Sequence, residues 1–232
     1  MLEDGLSYPV RGDWIGRIII GGVLGLLSVF VLPVFVIVGY LVRVLERTIA
    51  GDEVPPEFNE WGDLLMKGIV GTVITVVYTL LPVIAYSILV AVVFGTGGAI
   101  GGDAGALIGV VGILLALAFI PVLFLIYYAV PAALSAYAAR GEIGAAFDVN
   151  LLKPTLFSTD YLVAVLMPIV VAVITWVVAG VLAVTVIGLL LVPFVQFYGQ
   201  VAVFRMFGSA FASVTEQHTR DGPTVDPETT TL

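Results

Sequence analysis

Ionisable side chains are missing from four long stretches of the chain, and apolar residues fill them. The stretches cover residues 18–42, 68–102, 104–139 and 161–204. A helix needs about 20 residues, at a rise of about 1.5 Å per residue, to cross a hydrocarbon core of about 30 Å. Each stretch reaches that length. Because backbone groups in lipid must bond within their own segment, the pattern predicts transmembrane helices, and the alternation of a membrane β-strand is absent.

Two of the turns between helices can be placed from the pattern. The stretch 161–204 has about twice the length that one span needs, so it must turn within itself. β-Branched residues and a glycine interrupt its apolar run at residues 185–188. Several glycines in residues 95–103 likewise permit a tight turn between the second and third stretches.

The N-terminal segment 14–49 has two interpretations, because Pro33 either kinks one long helix or separates two short ones. A turn at Pro33 places all nine basic residues on one side of the membrane, whereas a single helix separates Arg11 and Arg17 from the rest. The tendency of basic residues to stay in the cytoplasm therefore favours six passes with both termini cytoplasmic. A re-entrant pair, which dips into the bilayer and returns, satisfies the same charge pattern.

The predicted fold is an all-α integral membrane protein with about six transmembrane or re-entrant helices, arranged as three helical hairpins. Residues 1–214 form a single membrane domain, and the Thr-rich acidic segment 215–232 is predicted to be a disordered cytoplasmic tail. Two cytoplasmic connectors, 51–66 and 140–156, join the hairpins. The helices are expected at about residues 14–32, 33–50, 67–95, 104–139, 160–184 and 187–213.

The two connectors resemble each other. Glu53 and Phe58 in the first are matched at the same spacing by Glu142 and Phe147 in the second. Prolines and aromatic residues around them also correspond, which indicates an internal repeat of hairpins in parallel orientation. Such a repeat differs from the inverted repeats of many secondary transporters.

The first connector is predicted to contain an interfacial helix that starts after Pro55-Pro56. Proline is favoured in the first turn of a helix. Tryptophan at this position favours the headgroup region of the bilayer. The apolar side chains that would share one face of this helix are Phe58, Trp61, Leu64 and Leu65.

Composition excludes several classes of function. The chain has no cysteine, and its only histidine, His218, lies in the predicted tail. Thiolate metal sites and Ser-His catalysis therefore lack the residues they need. We predict no enzymatic activity, no catalytic residues, no metal site and no cofactor. The formal net charge of −8 also argues against nucleic acid as a partner.

Polar groups at membrane depth are few, and one set of them stands close together. Gln196 and Gln200 are four residues apart, so they share a helix face, and Tyr198 lies between them. We predict a polar intramembrane patch at these three residues. The simpler interpretation is a structural hydrogen bond to a neighbouring helix.

These observations favour a non-enzymatic scaffold or accessory membrane component. Its partners would be the lipid bilayer and either another membrane protein or a second copy of the chain. The alternative is a transporter or permease for a small or lipophilic substrate. No ionisable residue lies deep in the predicted membrane segments, which weakens that alternative because ion-coupled transporters use such residues.

The N-terminal third also carries a set of short motifs. They are Leu2-Glu3-Asp4, Tyr8-Pro9, Trp14, Gly21-Gly22, Gly39-Tyr40, Arg43, the run from Pro55 to Leu64, and Gly68. In these motifs the chain resembles an uncharacterised membrane protein family, domain of unknown function 4013. Its acidic, arginine-biased loops resemble those of haloarchaeal members. The resemblance implies a multi-pass membrane protein of the cell membrane with no established activity, and it brings no functional residues.

Overall fold

A computed structural model of the chain describes residues 2–220, apart from the side chains of Asp160 and of residues 218–220. All regular structure in this part of the chain is helical. The α-helices are α1 (Leu2–Ser7), α2 (Trp14–Leu26), α3 (Leu32–Ile49), α4 (Trp61–Ile100), α5 (Gly102–Ala118), α6 (Ile120–Arg140), α7 (Val149–Leu156), α8 (Thr159–Leu182) and α9 (Val186–Arg220). Short 3-10 turns occupy Tyr8–Val10, Leu27–Phe30 and Ile143–Phe147.

Four helices are long and apolar enough to cross a membrane. They are α4, the nearly continuous pair α5–α6, residues Tyr161–Leu182 of α8 and residues Val186–Gln217 of α9. The segments Leu2–Val10 and Trp14–Phe30, which contain α1 and α2, meet at an angle of 91°. They count as a fifth span only if they cross the membrane together as one bent unit. The length and composition of the four helices make the chain an all-helical membrane protein.

The helix breaks fall near the predicted turns. The break expected at Pro33 lies just before it, at residues 27–31, and Pro33 stands in the first turn of α3. Between α8 and α9 the break is at residues 183–185, and the Thr185 hydroxyl accepts a hydrogen bond of 2.9 Å from the Gly188 amide. That bond satisfies one free donor at the start of α9.

Three segments differ from the sequence-based expectation. The predicted loop 95–103 is reduced to Gly101, because α4 stays helical to Ile100. The φ of Gly101 is 66°, in the left-handed region that glycine tolerates. The predicted helix 104–139 is interrupted at Phe119, next to Pro121. Helix α9 continues to Arg220, past the predicted start of the tail. The rest of that tail, residues 221–232, lies outside the described residues.

The buried core lies at one end of the helices, the end that carries the connectors. On α4 the buried apolar side chains end at Ile74, and on α6 they begin around Pro131. The largest core cluster joins α3, α4, α6, α8 and α9, and includes Val42, Leu45, Ile74, Leu134, Tyr137, Tyr161, Phe207 and Phe211. Away from this end, large apolar side chains are exposed all around, as expected of a surface solvated by acyl chains.

Helices α3 and α4 approach each other backbone to backbone. A Cβ atom added at Gly39 would overlap the Leu64 carbonyl oxygen, and one added at Gly68 would overlap the Phe35 carbonyl oxygen. Gly21 and Gly25 of α2 similarly face Phe197 and Pro193 of α9. Small residues at these positions therefore serve close packing within the chain.

Candidate functional site

The most elaborate polar structure in the described part of the chain surrounds residues 51–60, here called the connector loop. The loop has no regular secondary structure, and its two consecutive prolines offer no backbone N–H. Side chains from the surrounding helices and from the segment before α2 donate hydrogen bonds to six of its carbonyl oxygens. The pairs are Arg205 to Asp52 at 2.8 Å, Arg11 to Glu53 at 3.3 Å, Tyr8 to Val54 at 3.3 Å, Arg17 to Pro55 at 2.5 Å, Tyr40 to Pro56 at 2.9 Å and Arg43 to Asn59 at 2.8 Å.

Arg17 shows how these contacts are built. It lies near the start of α2 and is buried, with about 6% of its surface exposed. Its guanidinium donates to the Pro55 carbonyl and also to the Arg11 carbonyl. A buried cation needs several acceptors to offset the loss of water, and the planar guanidinium can bond to two at once. The connector loop and the segment before α2 are thereby tied to one side chain.

Arg43 of α3 anchors the other end of the loop. Besides the Asn59 carbonyl it contacts the Asn59 side-chain oxygen at 2.6 Å, Asp63 at 2.8 Å and Glu60 at 3.3 Å. Lys67 extends this network by pairing with Asp63 at 3.0 Å. The charges join α3, the loop and the first turns of α4 into one unit.

Aromatic rings pack beneath the same loop. Phe58 stacks on Tyr40 with ring centroids 4.1 Å apart, and Phe197 of α9 lies 5.4 Å from Tyr40. Trp61 stacks against Phe58 at 5.9 Å. The loop therefore rests on an apolar floor made by α3 and α9.

The predicted interfacial helix is not formed, which corrects the interpretation of Phe58, Trp61, Leu64 and Leu65. The connector loop is not helical, and the helix begins only at Trp61, as the start of α4. Phe58 is partly buried in the aromatic stack, Leu64 is fully buried, and Leu65 is partly buried. Only Trp61 is exposed among the four. Packing against α3 and α9 draws the other three side chains inward.

The N-terminal segment is fastened to α9 at the same end. Asp4 pairs with Arg11 at 2.6 Å and with Arg205 at 3.0 Å, and the Arg205 guanidinium lies 4.6 Å from the centre of the Tyr8 ring. Partial burial opposes ionisation of Asp4, but the hydrogen bonds from both arginines outweigh it, so the pKa of this carboxyl is lowered. Burial raises the pKa of the Tyr8 hydroxyl.

A polar cavity of about 620 Å³ lies beside the connector loop. Charges of both signs line it, among them Glu46, Arg47, Glu53, Glu57 and Lys67. Within residues 2–220, no group of three or more His, Cys, Asp or Glu side chains could hold a metal ion. The cavity offers hydrogen bonding and charge to a visiting group.

The predicted polar patch on α9 is divided between two faces. Tyr198 is partly buried and its hydroxyl donates to the Leu6 carbonyl, so it helps to hold α1. Gln196 and Gln200 are exposed and line grooves on another face. Residues two apart on a helix point about 200° apart, which explains the separation.

The second connector uses a similar contact. The Tyr78 hydroxyl donates to the Ala146 carbonyl at 2.6 Å, and its ring stacks on Phe147 at 5.5 Å. This matches the Tyr40 contacts with Pro56 and Phe58, although the tyrosines come from different helices. Asp148 caps the start of α7, because its side chain accepts a 2.9 Å hydrogen bond from the Asn150 amide.

Sequence reasoning missed Tyr8, Arg11 and Arg17 as functional neighbours of the connector loop, because it treated the arginines only as markers of sidedness. One signal was available. Arg17 and Arg43 each lie inside a helix whose neighbours are apolar, where a charge needs a specific partner. The identity of the partner could not be obtained from the same pattern.

Comparison with known protein families gives a match over most of the chain. A family described as "Protein of unknown function (DUF4013)" matches residues 23–184, which is well over half of the chain. The match covers the connector loop, Arg43, Gly39 and Gly68, whereas the motifs before residue 23 lie outside it. No curated protein and no solved structure matches the chain.

Proposed function

The chain belongs to DUF4013, a family of unknown function, and from its site we propose that it is a non-enzymatic scaffold or accessory component of the cell membrane. The observation that supports this is the connector loop, whose backbone accepts hydrogen bonds at six carbonyls from side chains elsewhere in the chain. A segment that only joined two helices would not need such fixation. A loop that is already ordered can bind a partner at a smaller entropic cost.

The outward side of the connector loop is acidic. Glu53, Glu57 and Glu60 are all exposed, and Trp61 next to them presents an exposed ring. Exposed carboxylates beside an aromatic side chain suit a basic segment of a partner protein, since charge complementarity directs association and aromatic residues are frequent at interfaces. We therefore propose that the partner presents arginine or lysine to this loop.

The scaffold proposal can be tested by photocrosslinking in native membranes. A photoreactive amino acid at Val54, which is exposed among these acids, should crosslink to one protein through a basic segment. Glu53→Gln with Glu57→Gln should reduce the yield several-fold. The matched control carries the photoreactive group at Phe157, which is exposed at the end of α7. The proposal fails if Val54 gives no specific product, or if the charge substitutions leave the yield unchanged.

We further propose that four helices span the membrane and that α2 and α3 form a re-entrant pair, with both termini cytoplasmic. From Arg205, α9 extends roughly 28 Å to Val186, which spans a hydrocarbon core. From Arg43, α3 extends only roughly 16 Å to Leu32. The tip at Val29 and Phe30 is apolar and exposed, which suits the bilayer interior. All basic residues then stay on one side, as the positive-inside tendency favours.

Single cysteine labelling tests this topology directly, since the chain has no cysteine of its own. In intact cells, a membrane-impermeant maleimide should label Val184→Cys at the turn between α8 and α9. Glu216→Cys should react only after permeabilisation. Val29→Cys should stay almost unlabelled in both conditions, because the tip lies among acyl chains. Labelling of Val29→Cys from outside, at the rate of Val184→Cys, would instead support six passes.

A transporter or permease for a small or lipophilic substrate is the alternative. The observation in its favour is a set of grooves on α9 that Gln196 and Gln200 line. An origin in a halophilic archaeon stays a prediction from the acidic, arginine-biased loops.

A further inference from the structure

Three grooves adjoin one another on the membrane-facing side of the bundle. One of about 630 Å³ lies between α6 and α8, one of about 240 Å³ between α8 and α9, and one of about 440 Å³ between α9 and the pair α2–α3. The first two share Ala172 and Trp176. The last two share Gln196, Gln200 and Phe204. Because neighbouring grooves share lining side chains, they lie side by side across α8 and α9, and together they are here called the crevice.

The crevice is mostly apolar. The lining of the α6–α8 groove is aliphatic and aromatic, with Leu123 and Phe124 facing Ile169 and Val173. No charged side chain lines any of the three grooves within the described residues. The amides of Gln196 and Gln200 line both the second and the third groove, and the hydroxyl of Thr175 also lines the second. Single hydroxyl groups of Tyr127 and Ser28 line the first and the third groove.

Both amides are exposed, and neither has a hydrogen-bond partner in the described part of the protein. Along α9, Gln200 lies roughly 8 Å and Gln196 roughly 14 Å from Arg205. If Arg205 marks the edge of the hydrocarbon, both amides lie inside it, where water cannot satisfy them. Polar groups in that environment favour any ligand that can bond to them.

We propose that this crevice binds a neutral long-chain lipid, which places an uncharged hydroxyl or carbonyl head at Gln196 and Gln200 and its apolar chain along α8 towards α6. An amide offers both a donor and an acceptor, so it suits a hydroxyl or a carbonyl equally. A charged head is disfavoured, because the crevice has no opposite charge to compensate its loss of water. The groove volume of about 630 Å³ is in the range of ligand sites in proteins. This inference goes beyond the scaffold role and uses none of the residues of the connector loop.

The test uses the full-length protein in lipid nanodiscs and a hexadecanol analogue with a photoreactive diazirine in its chain. Labelling is expected in α6, α8 or α9. Hexadecanol should compete with it, whereas hexadecane, which lacks the head, and hexadecyl phosphate, which is charged, should compete at least about tenfold more weakly. Two hydrogen bonds of ordinary strength account for a factor of this size.

Matched variants connect the binding to the two amides. The double variant Gln196→Leu with Gln200→Leu keeps the side-chain size and should lower labelling about tenfold. The control is Leu189→Ala, at an exposed position of the same helix outside the grooves, and it should leave labelling unchanged. Gln196→Asn tests the geometry, because it keeps an amide group but moves it closer to the helix backbone. Labelling of this variant should fall between that of the unaltered protein and that of the double leucine variant. Monodisperse elution of each variant shows that it has folded.

Two results would overturn the proposal. Equal competition by hexadecane, or full labelling of the double leucine variant, would show that acyl chains fill the crevice without recognition of a head. Efficient disulfide crosslinking of two copies through Gln196→Cys in the native membrane would show that a second copy of the chain covers the amides. Neither result bears on photocrosslinking at Val54, so this proposal and the scaffold role fail separately.

Discussion

Replacing Gly68 by alanine should produce the largest loss of stability of any single methyl addition to this protein. The new Cβ atom would overlap the carbonyl oxygen of Phe35 in α3, and a backbone oxygen cannot move aside as a side chain can. Helices α3 and α4 would have to separate, which disturbs the packing of Leu64, Tyr40 and Ile74 behind them. Overpacking of a tight contact typically costs about 1 to 3 kcal/mol, and we expect the upper end or more.

A graded series on α4 separates this effect from a general effect of alanine. At Gly71 an added Cβ would meet side chains and no backbone, namely Val38 and Val42 at 3.2 Å and Leu134 at 3.6 Å, so a smaller loss is expected. At Gly62 nothing lies within 4 Å, and alanine should be neutral or stabilising by up to about 1 kcal/mol, because it favours the helix. Thermal unfolding of the purified protein in detergent measures the order. If Gly68→Ala unfolds at the same temperature as Gly62→Ala, the close approach of α3 and α4 is wrong.

Removal of the Arg43 side chain should release the connector loop. Arg43→Leu keeps the apolar part of the side chain but leaves Asn59, Asp63 and Glu60 without their shared cation. Hydrogen bonds between charged groups contribute about 1.5 to 3 kcal/mol each, although the two carboxylates here remain in contact with water, which lowers the loss. We expect a destabilisation of about 2 to 3 kcal/mol, with faster proteolysis within residues 51–60.

Two further substitutions show what kind of contact is lost. Arg43→Lys keeps the charge but cannot bond to several oxygens at once, so it should restore only part of the protection. Arg47→Leu removes a neighbouring arginine that is mostly exposed and pairs with Asp52 at 3.0 Å, and it should change stability by less than about 1 kcal/mol. Equal protease sensitivity of Arg43→Leu and Arg47→Leu would contradict the anchoring role of Arg43.

The helices themselves could be predicted more closely than their contacts. The break near Pro33 and the turn before Val186 lie where local signals placed them. A proline alone does not decide the end of a membrane helix, because Pro82, Pro168 and Pro193 all lie inside helices. The turn at residues 95–103 was placed too broadly, because glycines alone do not end a membrane helix when lipid offers the backbone no other partner. The prediction of an interfacial helix was wrong because Phe58 packs on the Tyr40 ring and does not lie on an exposed helix face.

The candidate site depended on residues that are far apart along the chain. Arg17 and Pro55 are separated by 38 residues, and Arg205 and Asp52 by 153. A pattern of apolar and polar positions records which face of a helix is buried, but it holds no information on which distant carbonyl will meet a given arginine. The same limit explains why Tyr198 was grouped with Gln196 and Gln200, whereas the structure assigns it to α1.

The sequence by itself determined that this chain is a helical membrane protein. Its four long stretches without ionisable groups suit lipid, and in lipid the backbone must form its hydrogen bonds within each stretch. It only favoured a common side for the basic residues, because one long helix over residues 14–49 would have separated Arg11 and Arg17 from the rest. Only the tertiary structure decided that arginines fix the connector loop, and that two amides on α9 have no hydrogen-bond partner within residues 2–220. Hydrophobic patterning acts along a helix and is local, whereas hydrogen-bond partners are set by how the helices pack.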